Sequence, residues 1–545
     1  MGNKTEPVII SEKTSRTFGE YRFLINEEKT YEYTPGNINL RTPLTKFNND
    51  KCEKALIELN TPVISAAMQA VTGIDMAVAL SLEGGIGAIY CSQSIGNQAA
   101  MVGSVKRYKA GFQRNVVSIS STASVEEAKG LINKSGYSNI AVTQDGSSNS
   151  KFLGVINQNR LKDIAGDEKV SNVMILFTSD SLERIINNLI KTNSKDCTIE
   201  VIRAVRDYIT YAKSGVSLEE ANCILSESMV KFLPIIGKED ILESMVFSKD
   251  KERHTNYPFE LADDDKRLLA SAAINTRDYS ERVPELVKAG VNILFIDASN
   301  GFSQYSRECL QFMQKHFPHI PIVAGNYITK EGFRHAVENG AWAVKIGMGG
   351  GSICITQEQK GTGRGQATAL YEIAEERNKY LKETGIYIPL ISDGGLVNAK
   401  DIAMAYAFGA DSVMMGRWFA RLKESPTEIE ERGGHKLKPY WGEGSMRARN
   451  WQRYGQENFE EGVEGYVPFA GDLKSNLIGL MPKIKEAMCD TARKSILDMH
   501  KRPVTVEVPS FLSIREGRVH DIIPKDDGSF FSDRLGQYKN NEWSV

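Results

Sequence analysis

Short apolar runs closed by small or polar residues recur along most of this chain. In order they are PVISAAM (62–68), GGIGAIY (84–90), LLASAAI (268–274), NILFIDAS (292–299), PIVAGN (321–326), AWAVKIGMGGG (341–351), IPLISDGG (388–395) and DSVMMGR (411–417). Each is four to seven apolar residues long and rich in β-branched side chains, the pattern of a strand buried on both faces. Helix-like segments fill most intervals, among them EGFRHAVENGA (331–341) and AKDIAMAYAFGA (399–410). Both end in Gly-Ala immediately before the next run, a helix stop followed by a buried strand. Eight strand–helix units predict an α/β fold, a closed parallel (β/α)8 TIM barrel, with a doubly wound open sheet as the alternative. In a barrel, the polar residues that end the runs gather on one rim.

One interval breaks this rhythm. About 180 residues separate GGIGAIY from LLASAAI. Within them, VSISSTASVEEAKGLINKSGYSNIAVTQDG (117–146) reads as strand, helix, strand, and GVSLEEANCILSESMVKFLPIIG (215–237) echoes it. Both carry Ser-x-Glu-Glu-Ala just before a helix, with Ser as N-cap and early Glu suited to the helix dipole. The echo predicts a duplicated module inserted into the barrel; two unrelated amphipathic helices are the alternative. Residues 180–212 read as an extra helical insertion.

Composition narrows the function. Lys and Arg total 67 against 69 Asp and Glu, a net charge of -2, with 41% hydrophobic and 25% charged residues. A near-neutral balance argues against a general electrostatic grip on nucleic acid or anionic membrane. No apolar stretch is long enough to span a membrane, and the first ten residues, MGNKTEPVII, lack a signal-peptide core, so the expected location is cytoplasmic. The seven cysteines are scattered without a CxxC pair and no HExxH occurs, so a disulfide framework, structural zinc or metal hydrolysis is not expected.

The runs end in chemistry. In GGGSICIT (349–356) three glycines allow backbone N–H groups close to an anion, and Ser352 adds a hydroxyl. Cys354 follows that turn, either as a nucleophile or as a small packed side chain. SDGG (392–395) and MMGR (414–417) end the seventh and eighth strands, where barrels often bind phosphate, here with Arg417. Asp393 suits a ribose diol. The segment 424–468, rich in Gly, Arg and aromatics and poor in periodicity, reads as a long lid. Its interleaved glutamates weigh against single-stranded RNA binding.

Taken together, GGGSICIT, ISDGG, MMGR, YWGEGS, RARNWQRY, EEGVEG and EGRVHDII, preceded by PVISAAMQAVTG and GGIGAI, resemble the IMP dehydrogenase family in that order. The wording INTRD, GSICITQEQKGTGRGQATA and SMRARNWQRY looks most like its divergent protozoal and bacterial branch. The resemblance implies a catalytic barrel over 1–113 and 251–545 with a flap over about 424–468. It further implies a tandem cystathionine-β-synthase-type (CBS) module over 114–250. The implied reaction is IMP + NAD+ + H2O giving XMP + NADH, a step of guanine nucleotide biosynthesis. C2 of the purine is not acidic, so hydride leaves only after a nucleophile makes it tetrahedral, and Cys354 matches that nucleophile. The resulting thioimidate is hydrolysed with flap Arg453 as base beside Tyr454. An arginine base must be desolvated to its neutral form. Thr356 and Glu461 match a second proton-accepting route.

By the same resemblance Ser352, Gly394, Gly395, Gly416, Arg417 and Tyr440 match phosphate-side positions, and Asp393 the ribose acceptor. Met68, Glu443 and Glu461 match positions around the base, and Gly442 a further substrate-binding position. Many relatives have Ser where this chain has Arg417, and a phosphate-contacting Ser where it has Ala66. For NAD, Asp297 matches the nicotinamide ribose contact, Asn326 the carboxamide, Arg277 and Tyr305 an adenine sandwich, and Ser299, Gly347 and Gly349 further cofactor-binding positions. The family often binds K+ through carbonyls here matched by Gly347, Gly349 and Cys354. Glu516, Gly517 and Arg518 of a neighbouring subunit match the rest of that site. Relatives typically have Gly at the last position, so Arg518 puts K+ dependence in question. A homotetramer, pairing into octamers through CBS modules, is also implied. Two other readings compete. GMP reductases share the barrel and the Gly-Ser-x-Cys loop but are expected to be shorter and to lack both the CBS pair and the Arg-Tyr flap. A catalytically inactive nucleotide sensor is the second, against which Cys354, Thr356, Arg453 and Tyr454 argue together.

Overall fold

The computed structural model describes residues 14–108, 116–135, 138–177, 209–248, 256–264, 267–449 and 460–517. Arg453, Tyr454, Arg518 and most of the 180–212 insertion lie outside the described residues. The chain divides into two compact units. One comprises Met1–Lys106, Phe259–Leu261 and Leu268–Val545, and the other Arg107–Pro258 and Ala262–Arg267.

The first unit is built on eight parallel strands: β1 (Val63–Ser65), β2 (Ile86–Ile89), β3 (Ser271–Ile274), β4 (Ile293–Ile296), β5 (Ile322–Tyr327), β6 (Ala343–Ile346), β7 (Leu390–Asp393) and β8 (Ser412–Met415). Each of the eight expected runs contributes one strand, and the sheet closes as β8 pairs with β1 through Val413 and Val63. A closed barrel, and not an open sheet, is therefore the architecture. Its interior is filled by inward residues of the strands, including Ile64, Ile86, Ala88, Ile293, Phe295, Val323, Ala343 and Ile391, all fully buried. The outer helices include α1 (Ile74–Leu82) after β1, α2 (Gln304–His316) after β4, α3 (Lys330–Glu338) after β5 and α4 (Ala399–Ala407) after β7. Polar residues at the loop ends start three of them. Ser303 accepts the Ser306 amide, Thr329 the Gly332 amide and Asn398 the Asp401 amide, at 3.3, 3.1 and 3.1 Å.

The segment expected as an aperiodic lid contains a three-stranded antiparallel sheet of Glu430–Arg432, His435–Trp441 and Glu464–Pro468. Gly433 and Gly434, at φ of 56° and 78°, turn the chain between Arg432 and its partner His435. Two successive positive φ angles make the two-residue turn whose twist suits a hairpin.

In the second unit, strand Ser118–Ser120 runs parallel to Asn139–Thr143, which pairs antiparallel with Phe152–Asn157. The echo repeats that order: Ala212–Lys213 is parallel to Phe232–Ile236, which pairs antiparallel with Leu242–Phe247. Helices Val125–Ser135 and Leu218–Glu227 occupy equivalent places between the parallel strands. Ser217 and Glu220 form a reciprocal capping box, with the Glu220 amide donating to Ser217 Oγ at 3.2 Å and the Ser217 amide to Glu220 Oε2 at 2.8 Å. Ser124 and Glu127 make the same pair of bonds at the same two distances. In both glutamates these amide bonds hold the carboxyl below its usual range. Ala141, Phe152 and Val155 of the first repeat share a core with Ile236, Leu242 and Met245 of the second. Among the described residues no helix is long and apolar enough to cross a membrane.

Candidate active site

A cavity opens where the C-terminal ends of the barrel strands meet the three-stranded hairpin. Its lining comes from Ala66–Met68 after β1, Asp297–Ser299 after β4, Asn326 in β5, and Lys345, Gly347–Gly351, Cys354 and Thr356 in and after β6. Asp393, Gly394 and Gly416 from β7 and β8 join them, with Tyr440, Gly442–Gly444, Glu461 and Gly462 from the hairpin. Residues separated by almost 400 positions in the chain thus share one mouth.

Cys354 lies in this lining with its Sγ 3.2 Å from the Thr356 hydroxyl. That hydroxyl donates to Glu461 Oε2 at 3.0 Å, so thiol, hydroxyl and carboxylate form one continuous chain. Lys360 binds the other oxygen, Glu461 Oε1. Main-chain pairing fixes the register. Cys354 bridges Gly462 antiparallel, Ile355 N–H donates to Glu461 O at 3.1 Å, and Val463 N–H donates to Ile353 O at 3.1 Å.

A second cluster centres on Lys345, which the sequence reading passed over as one polar letter in an apolar strand. Its ammonium lies 2.8 Å from Asp393 Oδ2 and 3.9 Å from Asp297 Oδ1, and it also reaches Asn326 Oδ1. Lys345 is only 2% exposed. The β5–β6 register slips between Gly325 and Tyr327, an irregularity that re-aims Asn326. The Asn326 amide donates to Asp393 Oδ2 at 2.9 Å and to Gly347 O at 2.7 Å. Gly394 and Gly395, at φ of 84° and 70°, carry the chain away from Asp393 through a bend that a side chain would strain.

Across the mouth, the Tyr440 hydroxyl lies against Gly416, where a Cβ would come within 2.6 Å of it, and 4.0 Å from Met68 Sδ. Burial pushes the Tyr440 phenol well above its usual range, opposed by a hydrogen bond with Ser352 and by the charge of Arg417. The buried Glu443 carboxylate accepts the Gln69 amide at 2.6 Å and the Ser92 hydroxyl. Trp441 Nε1 donates to the Gln69 side chain at 3.1 Å. Gln69 and Ser92 were also missed. Both lie in loops that end barrel strands, yet their partner is some 350 residues away.

The IMP dehydrogenase / GMP reductase domain profile matches residues 16–520. The chain belongs to that family. It is therefore an oxidoreductase by class. An inosine-5'-monophosphate dehydrogenase of Tritrichomonas foetus is 42% identical over 518 residues, covering 94% of this chain and 96% of the relative. One from Aquifex aeolicus is 32% identical, covering 90% and 93%. A GMP reductase structure from Trypanosoma brucei, a cysteine-to-alanine variant in complex with guanosine 5'-monophosphate, superimposes with a TM-score of 0.78 at 25% identity. It covers 94% of this chain and 99% of its own. That coverage corrects one expectation: neither chain length nor the inserted unit separates the two activities of the family.

Not every family-matched position meets the cavity. Arg277 and Tyr305 are exposed and absent from its lining, Tyr305 being 68% exposed. Ser352, Gly395 and Arg417 border it without lining it. Gly395 N–H donates to Gly350 O at 3.0 Å, and Ser352 and Arg417 act on Tyr440. Gly347 O, one of three carbonyls matched to K+, already accepts the Asn326 amide. Glu516 ends the C-terminal helix Phe511–Glu516, where Arg22 binds Ser513 Oγ at 3.1 Å. A Cβ on Gly517 would come within 2.5 Å of the Arg22 guanidinium. Among the described residues no cluster of His, Cys, Asp and Glu is arranged to hold a metal ion.

Proposed function

We propose that the chain oxidises IMP to XMP with NAD+ and water, in guanine nucleotide biosynthesis, through a covalent Cys354 intermediate. The observation that carries this reading is the chain Cys354–Thr356–Glu461 inside the cavity, with links of 3.2 and 3.0 Å. The Cys354 thiolate adds to C2 of the purine, hydride leaves C2, and the resulting thioimidate is hydrolysed, returning the thiol. Bound NAD+ supplies the hydride acceptor. The donor set suits a dinucleotide, since Asp297, Ser299 and Asn326 line the cavity and a neighbouring recess shares Ser299, Met348 and Thr356 with it. Asp393 binds the IMP ribose, with Gly394, Gly416 and Tyr440 on the phosphate side and Met68, Gly442 and Glu443 around the base. For hydrolysis, Arg453 acts as base beside Tyr454, and Thr356 relays a second route to Glu461. No step is routed through K+.

The duplicated capping boxes and the repeated strand order support reading the second unit as a tandem CBS module. A cytoplasmic homotetramer is the assembly this reading carries. Mixing the protein with IMP and NAD+ should produce steady NADH absorbance, none for Cys354→Ala, and for Arg453→Ala a burst of about one NADH per subunit followed by a slow phase. Because a GMP reductase superimposes over 94% of the chain, reduction of GMP with NADPH is the second reading. NADPH oxidation with GMP, and silence with IMP and NAD+, would decide for it.

A further inference from the structure

The geometry points to Lys360 as a positioning residue for hydrolysis: it clasps Glu461 from one side and so holds the other carboxylate oxygen on Thr356. This inference rests on the dehydrogenase reading above.

Thr356 and Lys360 are the first and last residues of the short helix Thr356–Lys360. Four positions apart, they project from the same helix face. Glu461 meets that face with both oxygens, Oε2 on the Thr356 hydroxyl at 3.0 Å and Oε1 on the Lys360 ammonium. A carboxylate with one accepting oxygen free for the relay and the other held has little freedom about its last torsion. The Glu461 side chain is only 5% exposed, whereas that of Lys360 is 30% exposed, so the cation screens a buried charge from the solvent side. Lys360 does not line the main cavity; it lines the neighbouring recess beside Thr356. That recess is also the one offered above to the dinucleotide, so an effect through Glu461 is separated from one on dinucleotide binding by reading the hydrolytic phase, which follows hydride transfer. The main-chain bonds between Ile355 and Glu461 and between Cys354 and Gly462 set the register, but they leave the carboxylate's rotation unfixed.

The test uses the full-length enzyme in an Arg453→Gln background, where residual hydrolysis runs through Thr356 and Glu461. The NADH phase that follows the burst is measured for Lys360→Met, Lys360→Arg, Glu461→Gln and the double variant Lys360→Met/Glu461→Gln. Loss of one charge-assisted hydrogen bond should slow that phase roughly tenfold in Lys360→Met. Lys360→Arg should retain it within about twofold, and the double variant should be no slower than Glu461→Gln alone. A purely structural lysine would instead slow the Glu461→Gln enzyme further, by the same factor as the parent, and that result overturns the inference. So does an unchanged phase in Lys360→Met. If the parent chain gives no NADH from IMP and NAD+, the dehydrogenase reading itself falls, a failure seen before any Lys360 variant is made.

Discussion

Replacing Lys345 with Met tests whether one buried cation organises both halves of the cavity. The lysine is 2% exposed and its ammonium stands 2.8 Å from Asp393 and 3.9 Å from Asp297. Met keeps most of the apolar stem and removes the charge. Breaking a buried ion pair from one side costs about 3–5 kcal/mol, because the remaining charge stays desolvated. Here the carboxylates keep some water, with side-chain exposures of 22% for Asp393 and 15% for Asp297, so the lower end, about 3 kcal/mol, is expected. At roughly 2 °C per kcal/mol for a large domain, the barrel transition should fall by about 6 °C in a thermal melt. Adding Asp393→Asn to Lys345→Met should recover about half of that loss, since it removes the nearer stranded charge. Because Asp393 and Asp297 are the proposed ribose acceptors for the two substrates, KM for IMP and for NAD+ should rise together. A melt within about 1 °C of the parent, or a rise confined to one substrate, would refute the idea that Lys345 couples the two.

The duplicated capping boxes predict matched losses. Ser124→Ala and Ser217→Ala should each destabilise its helix by about 1 kcal/mol, read as faster hydrogen exchange at the Glu127 and Glu220 amides, and indifference at one helix would break the equivalence. His500 is buried, with Nε2 3.0 Å from Tyr406 O and Nδ1 3.1 Å from the Tyr387 hydroxyl. Burial, reinforced by the Arg377 charge, pushes its imidazole down to about 3. The unfolded chain then binds more protons between about pH 3 and 6.5, so His500 costs stability as pH falls through that window. Comparing urea unfolding of the parent and His500→Gln from pH 7 to 4, the parent's advantage should shrink by about 3 kcal/mol, and parallel pH curves would contradict it. Exchanging K+ for Na+ at constant ionic strength should change turnover less than twofold if Arg518 supplies the cation; a large loss would restore the metal.

The barrel was readable because its signal is local. A strand covered on both faces must be apolar over consecutive positions, and β1 to β8 fall inside such runs except that β5 extends one residue past PIVAGN, to Tyr327. Run edges overshoot, as where Leu268–Ala270 precede β3, because apolarity reports burial and burial continues past the last ladder hydrogen bond. The hairpin was missed although its signal was present: Gly433–Gly434 lies between flanks that pair as Arg432 with His435, but the charged flanks hide the alternation that would have flagged strands. The site divides along the same line. Cys354, just past a Gly-rich turn, could be read from the residues as candidate chemistry, and Thr356 and Glu461 only through resemblance. Lys345 was legible by a different question, why a lysine should sit in a fully buried strand, whose answer demands facing carboxylates before any are known. Gln69, Ser92 and Lys360 carry no such paradox. Each is a single ordinary polar residue, Gln69 even within an apolar run, and its importance arises only when the fold brings Glu443 or Glu461 to it.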